Sequence, residues 1–316
     1  VQIRVQAAGI NPVETYIRSG NYARKPKLPF TPGKDCAGVV TKVGANVKNL
    51  KVNDSDSDFR AQEASKVISL NVKVGDRVYT VESETGTYAE YTVCPVKRVF
   101  NLSDNLNFLE GSAIGTPYFT AYRALILKGN AKPNETVLIH GASGAVGIGS
   151  IQLAKSIGLH VIGTAGTPEG LNMIKELGCD QVYNHRTDAD YVEKIKQAYP
   201  NGVDIVLEMS SHTNLNKDLE LLKFKRGRVV VIGCRGPIEI NPRLIMAKES
   251  VVTGISLASG DDEDFESINA HLQSLMKLNA IKPVTAKIYK LEEAAQAHVD
   301  VITNSGTMGR LAFKLD

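Results

Sequence analysis

One segment narrows the folds open to this chain more than any other: Val137-Leu-Ile-His-Gly-Ala-Ser-Gly-Ala-Val-Gly-Ile-Gly149. A short apolar run ends in Gly141, Gly144 and Gly147, and an apolar, helix-periodic stretch, Ile148 to Ile157, follows. Strand, tight turn and helix in that order are the context a dinucleotide-binding turn requires. Glycines let the backbone close on a pyrophosphate, and the helix start offers it unpaired N–H groups and a positive dipole end. Glycines also serve ordinary turns, so the flanking strand and helix carry the reading.

The surrounding pattern agrees. Strand signals at 136–140, 159–163, 181–183, 203–207 and 228–233 alternate with helix signals at 146–157, 169–177, 189–198 and 213–223. Such alternation predicts a parallel sheet covered by helices. A further strand is expected over 251–257, a helix over 263–279 and a final strand over 309–315. Residues 1–100 have another texture, with short strand signals at 39–44, 75–79 and 87–93 between Gly, Pro and Asn. The chain opens Val1-Gln-Ile-Arg-Val, already strand-like, and reads as lacking its true start. Residues 51–71 look inserted: they are polar and carry Asp54-Ser-Asp-Ser-Asp58. That run lacks the sixth-position Gly and twelfth-position Glu of a calcium loop, having Phe59 and Ser65 instead, and is expected to be a solvated loop.

Composition excludes several classes. Of 316 residues, 43% are hydrophobic and 22% charged, as in a globular protein, and two domains are expected. A net charge of +3 is too mild to demand nucleic acid. The basic run Lys223-Phe-Lys-Arg-Gly-Arg228 reads as a helix end before a strand, and Asp261-Asp-Glu-Asp264 as acids in a helix's first turn. No apolar run reaches membrane-spanning length. The four cysteines, Cys36, Cys94, Cys179 and Cys234, stand far apart without a C-x-x-C, which predicts reduced cytoplasmic thiols.

The second strand of a Rossmann unit selects the nucleotide, and NAD enzymes usually hold an acid at its end. Here Gly163-Thr-Ala-Gly166 has none until Glu169, so NADP is preferred, with His185, Arg186 and Arg235 as candidate cations for the 2′-phosphate. Ser143 misses the hydrolase elbow G-x-S-x-G because Ala145 replaces its last glycine, and it reads as a phosphate-binding hydroxyl.

Asn11-Pro-Val-Glu-Thr-Tyr-Ile-Arg-Ser-Gly20, Pro32-Gly-Lys-Asp-Cys-Ala-Gly38, Gly75-Asp-Arg-Val78, Gly115-Thr-Pro-Tyr-Phe-Thr-Ala-Tyr122 and the glycine ladder occur in that order. Together they resemble the NADPH:quinone oxidoreductases of the medium-chain dehydrogenase/reductase superfamily, in the zeta-crystallin group, which Asn184-His-Arg186 and Ile238-Glu-Ile-Asn-Pro-Arg243 also match. The resemblance implies an α/β fold: a Rossmann doubly wound parallel sheet plus a β-rich, GroES-like catalytic domain. The expected division is 1–112 (catalytic), 113–256 (Rossmann) and 257–316 (return to the catalytic domain).

It also implies cofactor contacts at Tyr16, Ser143, Gly144, Ala145, Val146, Gly166, His185, Asn214, Ile232, Gly233, Cys234, Arg235, Ile255, Ser256 and Leu257. Tyr16 would lie by the nicotinamide and, with Asn11, form the catalytic pair. The lysine that some bacterial relatives use for the 2′-phosphate has no counterpart after Gly166. The superfamily's alcohol dehydrogenases bind catalytic zinc with a Cys near the present Asn11, a His–Glu pair near Lys34-Asp35 and a Cys near Thr116; none is kept, so no metal is expected. Quinones are already electrophilic, and their reduced oxygen has a phenol-like pKa near ~10, so chiefly orientation is needed. The expected reaction is NADPH-dependent quinone reduction by a cytoplasmic homodimer or homotetramer. Enone reduction and a non-catalytic crystallin or mRNA-binding role stay open as alternatives.

Overall fold

The computed structural model describes residues 1–23, 25–47, 72–303 and 306–315, so the insert 51–71 lies outside the described residues. Two sheets organise the chain. The first is built from β1 (Gln2–Ile10), β2 (Cys36–Lys42), β3 (Arg77–Thr80), β4 (Tyr91–Val93) and β5 (Val99–Asn101), with α1 (Pro12–Arg18) after β1. Helices α2 (Phe108–Ser112) and α3 (Gly115–Tyr122) lead into the second sheet.

That sheet alternates with its helices: β6 (Thr136–Ile139), α4 (Ala145–Ser156), β7 (His160–Ala165), α5 (Pro168–Glu176), β8 (Gln181–Asn184), α6 (Tyr191–Ala198), β9 (Ile205–Glu208), α7 (Ser211–Leu221), β10 (Arg228–Val231), α8 (Pro242–Lys248) and β11 (Val251–Gly254). The order β11-β10-β9-β6-β7-β8 is parallel throughout. It reverses between β6 and β9, the switch point of a doubly wound fold. Val137, Leu138 and Ile139 on β6 and all four residues of β9 are buried, because helices cover both faces.

After α9 (Asp262–Lys277), the chain returns through β12 (Thr285–Tyr289), α10 (Ala294–Thr303) and β13 (Arg310–Lys314). β13 pairs antiparallel with β1, giving the order β12-β13-β1-β2-β3-β5, with β4 also on β1. The first sheet therefore needs both ends of the chain. Phe265, Ile268, Leu272 and Met276 of α9 join the largest core cluster, alongside Phe119 and Leu125.

Three expectations need correction. The strand expected over 251–257 stops at Gly254. Ile255 N–H still donates to Val231 O, but Val231 is the last residue of β10, and a 3-10 turn over Leu257–Ser259 follows. Of 87–93, only Tyr91–Val93 is strand, since Thr87 and Tyr88 turn their N–H groups to Pro32 O. The strand placed at 39–44 is Cys36–Lys42, because Cys36 to Val39 already pair with β1 and β3. Helices α1, α8 and α10 carried no sequence signal that was read as helix. Each of the first two begins with a proline after an asparagine N-cap.

The two charged runs behave as the sequence predicts. Arg228 makes a paired contact with Glu135, at 2.6 and 2.9 Å, and Lys223 meets Asp204. Asp261 caps α9 by accepting from Asp264 N–H at 2.8 Å, and Asp262 binds Lys97 and Arg98.

Candidate active site

The cofactor candidates from Ser143 to Leu257 gather at one edge of the parallel sheet, past the carboxyl ends of its strands. Ser143 to Val146 follow β6, Gly166 follows β7, His185 follows β8, Asn214 lies on α7 after β9, Ile232 to Arg235 follow β10 and Ile255 to Leu257 follow β11. Open α/β sheets bind ligands in this crevice.

The turn after β6 has the conformation the glycines allow. Gly141 lies at φ +57°, the left-handed region. A Cβ on Gly147 would fall 2.5 Å from the carbonyls of Gly141 and Ala142, so only glycine lets α4 pack there. Gly144 is the N-cap of α4 and supplies no side chain, which leaves the first N–H groups of this 12-residue helix without a side-chain cap. That is a fit for a pyrophosphate.

At the end of β7, the guanidinium of Arg186 lies across Gly166; a Cβ there would meet its Nε at 2.7 Å. Asn184 Oδ1 shapes this turn by accepting from the backbone N–H groups of Arg186 and Thr187. His185 is exposed, and partial desolvation followed by the Arg186 charge holds its pKa below the ordinary histidine value. Arg235 is directed elsewhere: its Nη1 donates to Ile302 O at 3.0 Å, tying the nucleotide edge to α10. Cys234 is exposed, with its Sγ 2.9 Å from Gly236 O, and hydrogen bonds led by that from Ser211 lower its thiol pKa. Ser256 O accepts from Arg123. Gly309 N–H donates to Ser143 O at 2.8 Å, so the returning tail touches the glycine turn.

The second part of the site is a buried polar network. Asn11, Asp35 and Thr116, three of the positions that correspond to zinc ligands in the alcohol dehydrogenases, do converge. Asn11 Nδ2 donates to Asp35 Oδ1 and to Glu14 Oε1, each at 2.8 Å, so both its amide hydrogens are spent. Thr116 N–H donates to Asp35 Oδ2 at 2.9 Å. Arg310, from β13, grips both Asp35 oxygens at 2.7 and 2.8 Å and also donates to Asn11 Oδ1. A Cβ on Gly9 would lie 2.0 Å from Arg310 Nη2, so β1 must be bare there. This donor set does not fit zinc: an amide stands for one thiolate, and the carboxylate is already neutralised by a guanidinium.

Glu14 completes the network. Its carboxylate accepts from Asn11 N, Asn11 Nδ2, Lys34 N and Tyr88 Oη, the last at 2.5 Å. Burial, then the Asp35 charge, push its pKa up. Tyr88 Oη also lies 3.2 Å from His298 Nε2, and burial and Glu14 hold the phenol well above the ordinary tyrosine range. A cavity of about 610 Å³ opens beside this network, lined among others by Glu14, Ile17, Phe30, Gly33 and Lys34. Thr116 Oγ1 is buried and has no hydrogen-bond partner among the described residues. Tyr16 is partly buried on α1, two residues beyond Glu14. The sequence names Asn11 and Tyr16 but does not group Glu14, Asp35, Tyr88, His298 and Arg310 as a unit; Asp35 and Glu14 lie inside quoted motifs, whereas Arg310 carries no local signal.

Comparison with known proteins gives the family and the fold. Residues 1–104 match the alcohol dehydrogenase GroES-like domain family and residues 145–274 the zinc-binding dehydrogenase family. A quinone oxidoreductase of Homo sapiens is 46% identical over 316 residues, covering 100% of this chain and 89% of its own length. One of Pongo abelii is 45% identical over 314 residues, covering 99% and 88%. Among solved structures, Escherichia coli quinone oxidoreductase complexed with NADPH superposes with a TM-score of 0.83 at 29% identity, covering 99% of this chain and 91% of that one. The Thermus thermophilus quinone oxidoreductase gives 0.81 at 26%, covering 100% and 91%.

Proposed function

The chain belongs to the quinone oxidoreductases of the medium-chain dehydrogenase/reductase superfamily, and from that premise we propose how its own residues perform NADPH-dependent quinone reduction. The observation that carries the reading is the uncapped, glycine-led start of α4, facing the same edge as Gly166 and Arg186. NADPH supplies the hydride when bound. The first N–H groups of α4 hold its pyrophosphate, and Arg186, with His185 beside it, meets the 2′-phosphate. Asn214 and residues 232–235 and 255–257 line the same crevice. Residues 113–256 form the nucleotide domain, and 1–112 with 257–316 the catalytic one.

On the catalytic side, Tyr16 packs at the nicotinamide. We place the quinone in the 610 Å³ cavity, where Glu14 carries the buried network to the wall; its volume suits a small ring ligand. Asn11 is a positioning residue there, since both of its amide hydrogens are held by carboxylates. The product oxygen is a phenolate, so water suffices to protonate it, and no metal Lewis acid is required. Stopped-flow NADPH oxidation over a panel of ortho-quinones and enones tests this. Quinone turnover insensitive to EDTA is expected; turnover of enones alone, or activity lost to EDTA and restored by zinc, would refute it.

No helix among the described residues is long and apolar enough to cross a membrane. We place the enzyme in the cytoplasm on its four unpaired thiols. It assembles, in this reading, through β11, the edge of the parallel sheet, to a homodimer that can pair again to a tetramer. Val251 and Val252 are 57% and 37% exposed, and Met246 and Phe224, also exposed, are 74% and 55%. Val251 and Ile255 N–H groups donate inward to Gly227 and Val231. Strand alternation therefore turns Val252 N–H to the free edge, where a second copy can pair with it. Val252→Pro removes that donor without touching the β10 ladder, and light scattering at micromolar concentration should show dimer becoming monomer. A wild-type monomer would exclude the contact.

A further inference from the structure

Behind the glycine turn lies a second buried polar cluster that the proposed chemistry leaves unused. His140 directly follows β6, Glu208 ends β9 and Asp218 lies on α7; they are 3%, 0% and 0% exposed. His140 Nε2 is 2.8 Å from Asp218 Oδ1 and 3.6 Å from Glu208 Oε2. Among the described residues Glu208 Oε2 and Asp218 Oδ2 have no hydrogen-bond partner, and a carboxylate oxygen of each lies within 4.8 Å of the other and of a His140 ring nitrogen. Two facing, buried, orphaned acceptors mark the place of a missing proton: with it, one carboxyl donates to the other, and without it they repel.

The cluster touches the nucleotide edge on three sides. Glu208 O accepts from Ile232 and Gly233 N–H at 2.8 and 3.1 Å, and Glu208 Oε1 accepts from Ser210 N–H and, at 3.5 Å, from Asn214 Nδ2. Thr164 Oγ1 bridges His140 Nδ1, at 3.4 Å, and Gly141 N–H, at 3.3 Å. The other groups facing it are Lys217 on α7, His185 with Arg186 after β8, and Tyr191 on α6, whose ring lies 6.4 Å from that of His140. Burial, then Asp218 and Glu208, push the Tyr191 phenol up to about 12, so it stays neutral.

We propose that His140, Glu208 and Asp218 form a buried proton site whose occupancy is linked to binding of an anionic dinucleotide on the other side of the glycine turn. This rests on the cofactor reading above. With His140 charged and one carboxyl protonated, the cluster is neutral; losing that proton places a net negative charge behind the pyrophosphate. Burial opposes the His140 charge, but Asp218 and Glu208 override it and hold its pKa above the ordinary value. Burial raises Glu208 to about 7, with Asp218 adding to the shift and His140 opposing it. An anion across the turn raises it further. Below about 7 the proton is present with and without cofactor. As pH rises, the free protein loses it first, so binding takes up a proton and affinity falls until the complex loses it too.

Titration calorimetry with NADPH near pH 8, in two buffers of different ionisation enthalpy, counts that proton. Uptake of about half a proton or more is expected, with affinity falling up to roughly tenfold per pH unit above neutrality. The 2′-phosphate titrates lower, near ~6. Glu208→Gln keeps the Oε1 acceptor and removes the titration, so uptake should vanish and affinity should become flat over the same range. No uptake by the wild type, undiminished uptake by E208Q, or a stoichiometric metal ion bound by the cluster would overturn the proposal. If E208Q does not fold, the wild-type proton count decides alone. NADPH binding that fails at every pH would overturn the cofactor reading as well, whereas pH-independent binding would overturn this proposal only.

Discussion

In the parallel sheet, every residue assigned to the nucleotide lies near the end of a strand that its own neighbours in sequence build. Beside the other, mixed sheet, the network near the cavity joins Asn11, Asp35, Thr116 and Arg310, with a hydrogen bond spanning 299 positions. The first region works through backbone shape: a left-handed Gly141, an uncapped helix start, a bare Gly166. The second works through fixed charge: the Arg310 guanidinium holds the Asp35 carboxylate, and Asn11 links it to that of Glu14. Damage to the first should therefore spare the fold and remove the ligand, while damage to the second should reach the fold itself.

The sharpest way to break that contrast is Gly144→Asp. Its Cβ would come no nearer than 3.3 Å, to Gly141 O, so little strain is added, but the carboxylate stands where the pyrophosphate must approach. NADPH affinity should fall below detection by nucleotide fluorescence, with urea unfolding nearly unchanged. Retained binding would detach the cofactor from this turn. Arg310→Ala should do the reverse. It leaves Asp35 buried and uncompensated, at a cost of about 3–5 kcal/mol in urea unfolding. Asp35→Asn in the same chain should recover part of it, and additive losses would show that the two do not act as a pair.

Smaller effects sharpen the comparison within each half. Arg186→Ala should weaken NADPH about 10- to 100-fold and NADH little, a loss of ~1.4–2.7 kcal/mol measured as the ratio of dissociation constants. An unchanged ratio would move 2′-phosphate recognition to another cation. Tyr16→Phe should keep kcat within a few-fold, because a phenolate product needs little acid help, whereas Tyr16→Ala should lose cofactor affinity. A kcat loss of roughly 10²-fold in the Phe variant would make Tyr16 the proton donor.

Legibility followed the same divide. The glycine ladder and the βα alternation are local patterns, and each predicted the elements found there. Residues 251–257 were over-read, since apolarity marks a strand but only the end of β10 at Val231 sets where pairing stops. Helices α1 and α8 gave no legible signal because seven residues make barely two turns. Asp35 and Glu14 sat in recognisable motifs, yet nothing in those motifs named Arg310 or His298 as their partners.

Sequence by itself determined the parallel nucleotide-binding sheet, the family and the loss of zinc ligands, because strand period, turn glycines and ligand chemistry are properties of neighbouring residues. Only tertiary structure decided what replaced the ligands and where a buried proton can sit. Arg310 reaches Asp35 because β13 pairs with β1 across nearly the whole chain and Gly9 leaves room for its guanidinium. His140, Glu208 and Asp218 meet because β6 and β9 adjoin at the point where the strand order reverses, under a helix that carries the second acid. Charges brought together by such distant pairings have no signature in local sequence, since their energies are set by burial and separation rather than by position along the chain.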